Sequence, residues 1–165
     1  MTYHIRRVDP QDKEVFQALV ALQKWCLPMD TVFPPSNGYW WMVFNEHEMP
    51  VGFAGMVPST RWTDCMYLCR AGVLEAHQGH GLQARLIKVR LKKAKQLGME
   101  WVITDTYKNP ASANSLINCG FKLFDPTKPW AGRGSLFWRY KVNAHKRPRE
   151  KTRKTAEVLR PVLRK

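Results

Sequence analysis

The sequence predicts an α+β fold of one domain; two observations support the class and a third supports the single domain. Segments with the alternating, β-rich pattern of strands are interspersed with three segments whose apolar residues recur at helical spacing. Two of the strand-like segments, residues 39–45 and 51–57, flank a polar turn at residues 46–48 and are typical of a hairpin. The chain has 165 residues, 44% of them hydrophobic, which suffices for one domain with its own core. We expect that domain over residues 1–143.

The first quarter of the chain predicts a strand, a helix and a loop. Residues 4–8 alternate as in a strand, and Asp9 followed by Pro10 is typical of a helix N-cap with proline at the first helical position. The helix continues with apolar residues at three- and four-residue spacing as far as Trp25. Residues 28–38 contain three prolines and predict a loop.

The rest of the chain predicts two further helices and four further strands. A helix over residues 79–97 ends at Gly98, a residue that favours a C-cap, and the last helix begins at Pro110. The strands are expected at residues 66–73, 101–106, 122–125 and 135–142. On the longer helix, apolar residues form one face and cations cover the rest; the cations are Arg85, Lys88, Arg90, Lys92, Lys93 and Lys95.

The stretch from Val73 to Leu86 is where the sequence predicts a binding site. It has the pattern of a strand end, a loop containing Gly79 and Gly81, and a helix start. A helix N-terminus presents unpaired N–H groups and a partial positive charge, which attract anions. Glycines lack a Cβ and therefore let a phosphate approach these amides. A tight turn without any ligand is the alternative interpretation.

Two known phosphate-binding loops do not match this stretch. A dinucleotide-binding loop needs a third glycine, and this chain has Ala84 at that position. Such a loop also needs an acidic residue that ends a strand about 20 residues further on, and no predicted strand ends in one at that distance. A Walker loop needs a following Gly-Lys-Ser/Thr, which the sequence lacks.

The loop resembles the acetyl-CoA pyrophosphate loop of the GNAT superfamily of N-acetyltransferases. The family pattern is Gln/Arg-x-x-Gly-x-Gly/Ala after a hydrophobic strand that ends in Val. Here Gln78-Gly79-His80-Gly81-Leu82-Gln83 follows a strand that ends at Val73. Gln83 departs from the small residue that the family has at the last position.

A second motif strengthens the resemblance. The family has Asn-x-x-Ser/Ala, then a helix, then Gly-Phe, and this chain has Asn109, Ser112 and Gly120-Phe121 in that order. Asn109 and Gly120 are eleven positions apart, as in the family. Together with the order of strands and helices, the resemblance covers about residues 4–142.

The resemblance implies a mixed, mostly antiparallel sheet of six to seven strands, flanked by helices and splayed between its fourth and fifth strands. Acetyl-CoA would be the co-substrate, with its pantetheine arm in the splay and its pyrophosphate on the amides of residues 78–83. Asn109 matches the family position that contacts the pantetheine arm, and Ser112 belongs to the same motif. The backbone N–H of Val73 or Leu74 would stabilise the oxyanion.

The groups that would move protons are less clear in the sequence. Many family members place a tyrosine seven residues after the motif asparagine as the acid for the thiolate, and here that position is Leu116. Tyr107, Ser112, Ser115 or water could replace it. Asp105, Glu75 and His77 are the candidates for the general base. Trp25, Phe33 and Trp40 could line the acceptor pocket, although core packing explains them as well.

The net charge is +14, and residues 144–165 hold nine Lys/Arg and two Glu, so this tail carries half of the excess. A balance of this kind favours acidic partners such as nucleic acid, acidic protein surfaces or coenzyme phosphates. We expect the tail to be flexible, and the basic helix face and the tail to be the contact surfaces.

The composition also bears on compartment and metal content. No run of about 18 apolar residues occurs and the first residues lack a hydrophobic leader, so neither a membrane span nor a secretory signal is expected. The four cysteines form no C-x-x-C pair, which favours reduced thiols in a cytoplasmic protein and no metal site.

Two functions follow as hypotheses. The first is an acetyl-CoA-dependent N-acetyltransferase that acts on a primary amine of a protein or small molecule by direct attack. The second is a catalytically weak protein of the same fold that uses its basic surface and tail to contact nucleic acid or an acidic protein. The sequence does not determine the acceptor or the oligomeric state.

Overall fold

The computed structural model describes residues 1–35 and 37–142, so Ser36 and residues 143–165, with the predicted basic tail, lie outside the described residues. Seven strands and three α-helices follow one another in the described chain. A short 3-10 helix at Glu75–His77, which the sequence did not predict, precedes the second α-helix. The elements are β1 His4–Val8, α1 Lys13–Cys26, β2 Tyr39–Phe44, β3 Pro50–Pro58, β4 Cys65–Val73, α2 Leu82–Gln96, β5 Trp101–Thr106, α3 Pro110–Asn118, β6 Lys122–Phe124 and β7 Leu136–Lys141.

The seven strands belong to one sheet in the order β1-β2-β3-β4-β5-β7-β6. β1 with β2, β2 with β3, β5 with β7 and β6 with β7 are antiparallel, whereas β4 and β5 are parallel. The predicted α+β class with a mixed, mostly antiparallel sheet is therefore confirmed. The described register of the parallel pair runs from Cys65 opposite Trp101 to Tyr67 opposite Ile103. The splaying of the two strands beyond these pairs stays a prediction.

The chain separates into two compact units, one formed by Met1–Val57 and Leu68–Leu86, the other by Pro58–Tyr67 and the chain from Ile87 on. In the first unit, β1, β2 and β3 form an antiparallel meander in which His4 lies opposite Phe44 and Tyr39 opposite Met56. The side chain of Trp40 is fully buried and donates a hydrogen bond from Nε1 to the carbonyl of Asn37 at 2.7 Å. Trp40 is therefore a core residue rather than part of a pocket wall.

The helix α1 begins later than the sequence predicted. Asp12, not Asp9, is the N-cap, because its carboxylate accepts hydrogen bonds from the backbone N–H groups of Glu14 and Val15. Asp9 instead accepts from the backbone N–H of Gln11 at 2.9 Å and forms a turn before the helix. The tryptophan at the end of the predicted apolar face, Trp25, is 68% exposed.

In the second unit, β5 lies between the start of β4 and β7. The β5–β7 register runs from Trp101 opposite Lys141 to Thr106 opposite Leu136. The short β6 is the edge strand beside β7, with Lys122 opposite Arg139. The bounds of β5 agree with the predicted residues 101–106, because a short apolar segment between polar residues is typical of a buried strand.

The helix α2 is rich in basic residues, and it ends where predicted. Gly98 has φ of +73°, and its N–H donates to the carbonyl of Lys95, as in a left-handed C-cap. The prediction that Arg90 belongs to the solvated basic face is wrong, because Arg90 is only 3% exposed. Within residues 1–35 and 37–142, no helix is long and apolar enough to cross a membrane.

Candidate active site

The loop between β4 and α2 adopts a backbone that only glycine tolerates well. Gly79 and Gly81 have φ of +83° and +69°, in the left-handed region that L side chains rarely adopt. A Cβ placed on either glycine would meet no atom within 4 Å. The glycines are therefore required by the backbone turn and not by a neighbouring protein group, and the side of the loop that they expose is open.

The first turn of α2 leaves amides directed out of the helix. The N–H of Arg85 donates to the carbonyl of Gly81 at 3.2 Å, which is the first bond of the helical ladder. The amides of Leu82 and Gln83 precede that bond, in the position where a helix has no carbonyl of its own to offer. Leu82 is 2% exposed and anchors the start of the helix in the core of the first unit. A fixed helix start with open glycines beside it can bind an anion.

Side-chain contacts hold this loop against the rest of the first unit. Gln78 donates from Nε2 to the carbonyl of Val73 at 3.1 Å, so the side chain links the loop to the end of β4. Tyr3 shares a hydrogen bond of 3.0 Å with Nδ1 of His77. The ring of Tyr3 lies 5.3 Å from that of His80, and its carbonyl accepts from Arg85. No local sequence pattern indicated a role for Tyr3, because it lies more than seventy positions from the loop.

The two candidate oxyanion donors differ in what they already bind. The amide of Leu74 donates to the carbonyl of Val51 on β3 at 2.8 Å. Successive N–H groups of an extended strand point to opposite sides, so the amide of Val73 is directed away from β3. The geometry therefore favours Val73 over Leu74 as the donor to a bound carbonyl.

Of the two carboxylates among the predicted catalytic residues, Asp105 is the one that hydrogen bonds hold in place. It lies on β5 and is half-buried, and its Oδ1 accepts hydrogen bonds from the hydroxyl of Tyr67 at 2.7 Å and from Nε1 of Trp130 at 3.0 Å. The ring of Trp130 packs edge-on against Phe137, which lies opposite Asp105 in the sheet. Two donors on one oxygen fix the carboxylate and leave its second oxygen for a proton. Sequence reasoning missed Tyr67 and Trp130, because their contacts span 38 and 25 positions.

The other two predicted catalytic residues are more exposed. Tyr107 follows β5 directly and is 56% exposed, and the ammonium of Lys108 lies 5.2 Å from the centre of its ring. Glu75 is exposed in the 3-10 helix. In the described residues, the ion pairs found are Arg6 with Glu48 and His47 with Glu46, so no cation pairs with Glu75.

The second sequence motif forms the start of α3 in the second unit. Asn109 is the N-cap, and its Oδ1 accepts from the backbone N–H of Ser112 at 3.1 Å, while Pro110 takes the first helical position. The hydroxyl of Ser115 donates to the carbonyl of Ala111 at 3.1 Å, which occupies its proton within the helix. Leu116, at the family's tyrosine position, is 4% exposed and belongs to the core.

The cysteines do not have the properties of a nucleophile. All four are free thiols. Burial raises the pKa of Cys26 to about 11 and that of Cys65 to about 12, and burial also raises the pKa of Cys119. These thiols therefore stay protonated at neutral pH, when a nucleophilic thiolate would be needed. Within the part of the chain that the structure describes, no cluster of three or more His, Cys, Asp or Glu residues could hold a metal ion.

Comparison with known proteins decides the family. The model of the acetyltransferase (GNAT) family matches residues 2–121. The chain belongs to this family. It is an N-acetyltransferase by class, its reaction is acyl transfer, and acetyl-CoA is the co-substrate that the family uses. No curated protein matches the chain.

Several solved structures share the fold at low sequence identity. The ribosomal-protein-S18-alanine N-acetyltransferase from Escherichia coli has 13% identity and a TM-score of 0.65, with 89% of this chain and 99% of that chain covered. The protein yncA from Salmonella typhimurium, solved with its cofactor acetyl-CoA, has 18% identity and a TM-score of 0.65, with 90% and 98% covered. The NatC complex bound to Gag peptide and CoA contains a chain with 14% identity and a TM-score of 0.69, with 87% and 100% covered.

Proposed function

We propose that the protein transfers the acetyl group of acetyl-CoA to a primary amine by direct attack. The nitrogen of the neutral amine bonds to the thioester carbonyl carbon, the C–S bond breaks, and coenzyme A leaves as the thiolate. The amine loses one proton and the thiolate gains one. The single observation that carries the proposal is the open glycine loop at the start of α2, in a chain whose family uses acetyl-CoA.

The loop is proposed to bind the pyrophosphate through its backbone. The amides of residues 78–83 would donate to the phosphate oxygens, and the positive end of α2 would add to the attraction. The left-handed φ of Gly79 and Gly81 and the absence of any atom where their Cβ would stand support this role. The contribution to binding would come from main-chain groups at His80, Leu82 and Gln83. Leu82 can contribute only its backbone, because its side chain is buried in the core.

The chemistry needs a donor for the oxyanion and a base for the amine. The amide of Val73 is proposed as the donor, since that of Leu74 is occupied by Val51. Asp105 is proposed as the base, because the hydroxyl of Tyr67 and the indole of Trp130 hold one carboxylate oxygen in place. Glu75 remains a second candidate for the base.

Reprotonation of the thiolate has no single strong candidate. Tyr107 is the nearest tyrosine in sequence to β5 and carries an exposed hydroxyl-bearing ring, so we propose it as the acid, with water as the alternative. Ser115 is less suitable, because its proton is donated to the carbonyl of Ala111. Asn109 and Ser112 are proposed to contact the pantetheine arm through the start of α3.

The acceptor is proposed to be an amine on a protein or small molecule. One structurally similar protein is a ribosomal-protein-S18-alanine N-acetyltransferase and another is solved bound to Gag peptide, which favours a protein amine. The excess positive charge of the chain disfavours cationic small molecules. Acidic proteins and nucleic acids are the partners that this charge favours, through the exposed cations of α2 and the tail.

Thermal unfolding with and without acetyl-CoA tests the first step. A ligand at one thousand times its dissociation constant stabilises the folded state by about 4 kcal/mol, which for a domain of this size raises Tm by roughly 8–16 °C. Absence of any shift at millimolar acetyl-CoA would contradict the proposal. Mass spectrometry of a lysate incubated with the protein and isotope-labelled acetyl-CoA would then identify the amines that gain the label, with heat-inactivated protein as the control.

A further inference from the structure

The second unit contains a cavity that the proposed acetyl transfer does not use. Its volume is about 450 Å³, within the range of sites for small ligands. It is formed by the segment before β4, the end of β6 with the loop that follows, and β7. The lining residues that matter here are Arg61, Trp62, Phe124, Asp125, Lys128 and Arg139.

The charge of the cavity is positive and is not balanced locally. The lining includes three cations, Arg61, Lys128 and Arg139, and a single carboxylate, that of Asp125. Across residues 1–35 and 37–142, the ion pairs found do not include any of these four residues. The cavity is therefore suited to an anionic ligand, which would supply the negative charge that the lining lacks.

Arg139 is held by aromatic rings instead of by a carboxylate. Its guanidinium carbon lies 4.9 Å from the ring centre of Phe124 and 5.4 Å from that of Trp101. A guanidinium stacked on rings keeps its N–H donors at the edge, where they can bind a phosphate in a planar, bidentate manner. The ammonium of Lys141 lies 5.7 Å from the same Trp101 ring, so the cations continue along β7 on the face that carries Arg139.

The aromatic wall of the cavity offers a surface for stacking. Trp62 is half-buried, and its ring stands edge-on to Trp101 at 5.7 Å and tilted against Phe124 at 5.4 Å. These contacts restrain the orientation of the Trp62 ring, and part of the ring remains accessible. Aromatic rings beside a line of cations are the arrangement that binds single-stranded nucleic acid, where bases stack and phosphates pair with the cations.

We propose that this cavity binds one nucleotide of a single-stranded nucleic acid. The base would stack on the accessible part of Trp62, and the flanking phosphates would pair with Arg139, Lys128 and Arg61. A carboxylate-rich peptide would use the cations but not the rings, and a duplex keeps its bases stacked within the helix, out of reach of a cavity. This site is distinct in its residues from the α2 face and from the tail.

Fluorescence anisotropy with the full chain tests the proposal. The probes are a labelled octamer of deoxyadenosine and an octamer of abasic deoxyribose phosphate, which has the same charge without bases, both titrated with and without saturating acetyl-CoA. We expect the octamer with bases to bind about fivefold more tightly or better, because the stacking of one base contributes at least this much. Equal affinities would overturn the proposal. So would loss of the preference in acetyl-CoA, since the cavity would then hold the adenosine of the coenzyme.

Variants separate the cavity from general electrostatic attraction. Trp62→Leu should abolish the preference for bases, whereas Trp25→Leu, which removes a tryptophan that is 68% exposed in the first unit, should leave it unchanged. Arg139→Gln and Lys128→Gln should each reduce the slope of log affinity against log salt by about 0.7, the value for one phosphate contact on a single strand. Lys24→Gln, an exposed cation of α1, is the matched charge control.

Two outcomes of the variants would contradict the proposal. Equal losses in Arg139→Gln and Lys24→Gln would mean that total charge alone drives binding. Competition by octaglutamate as strong as that by unlabelled oligonucleotide would mean that the site recognises acidic peptide. If Trp62→Leu fails to fold by circular dichroism, the preference of the unsubstituted protein for the octamer with bases and the salt slope of Lys128→Gln together still decide the question.

Discussion

Replacing Gly81 by alanine tests whether the loop before α2 binds the coenzyme. At φ of +69°, an L-residue is strained by about 1–2 kcal/mol, and no neighbouring atom adds a clash, because the new Cβ would meet nothing within 4 Å. For a domain of this size, that strain lowers Tm by roughly 2–8 °C. The fold should therefore survive the substitution.

The effect on acetyl-CoA should exceed the effect on stability. The new methyl group would occupy the open side of the loop, where the phosphates are proposed to approach the amides. We expect the dissociation constant for acetyl-CoA, measured by isothermal titration calorimetry, to rise at least tenfold, which is about 1.4 kcal/mol of lost binding. The thermal stabilisation by saturating acetyl-CoA should shrink by a similar free energy.

Two glycine variants make the measurement specific. Gly98→Ala places alanine at φ of +73° at the other end of α2, so it reproduces the backbone strain away from the proposed site. Gly132→Ala introduces a methyl group that also meets nothing within 4 Å, at a glycine without a left-handed φ. The reasoning is refuted if Gly81→Ala loses as much stability as Gly98→Ala and yet binds acetyl-CoA within twofold of the unsubstituted protein.

Three further predictions concern catalysis and stability. Asp105→Asn keeps an acceptor for its two hydrogen bonds but cannot take a proton, so kcat should fall about 100-fold or more with Tm nearly unchanged; an activity within threefold would exclude Asp105 as the base. The raised pKa values of Cys26 and Cys65 mean that the folded state keeps protons which the unfolded state loses, so the contribution of these two thiols to the free energy of unfolding should be constant below pH 9 and decline from pH 9 towards 12. Urea titrations should show that decline, and Cys65→Ala should flatten it. Gly55→Ala would place a Cβ 2.6 Å from the buried ring of Trp40, and calorimetry should report a loss of about 1–3 kcal/mol or more.

Much of the fold could be predicted because its signals are local. The alternation in β1, the apolar segment of β5 and the proline and glycine that bound α3 each depend on neighbouring residues. Asp9-Pro10 misled the prediction, since the same local chemistry suits both a helix N-cap and the turn that precedes one. Arg90 misled it too, because helical spacing does not report how far α2 sinks into the core.

The proposed site could be predicted only where its proposed function depends on the backbone. Residue type alone indicated Gly79, Gly81 and Asn109, because left-handed turns and helix caps require particular residue types. Tyr67 and Trp130 do not, since their role is to meet Asp105 across the folded sheet. Side-chain partners brought together by tertiary structure leave no periodicity or spacing from which they could be inferred.

The loop between β6 and β7 serves both proposed sites of the second unit, and this limits which substitutions are informative. Trp130 donates to Asp105 and also lies 6.1 Å from the ring of Phe124, which supports Arg139 in the cavity. A change at Trp130 would therefore disturb the proposed base and the proposed nucleotide site together, whatever the role of either. Contacts run from Asp105 through Trp130 and Phe124 to Trp62. The variants Asp105→Asn and Trp62→Leu each change one end of this series of contacts. Asp105→Asn should lose acetyl transfer and keep oligonucleotide binding, whereas Trp62→Leu should lose oligonucleotide binding and keep acetyl transfer. This pair of results would establish that the two sites act independently.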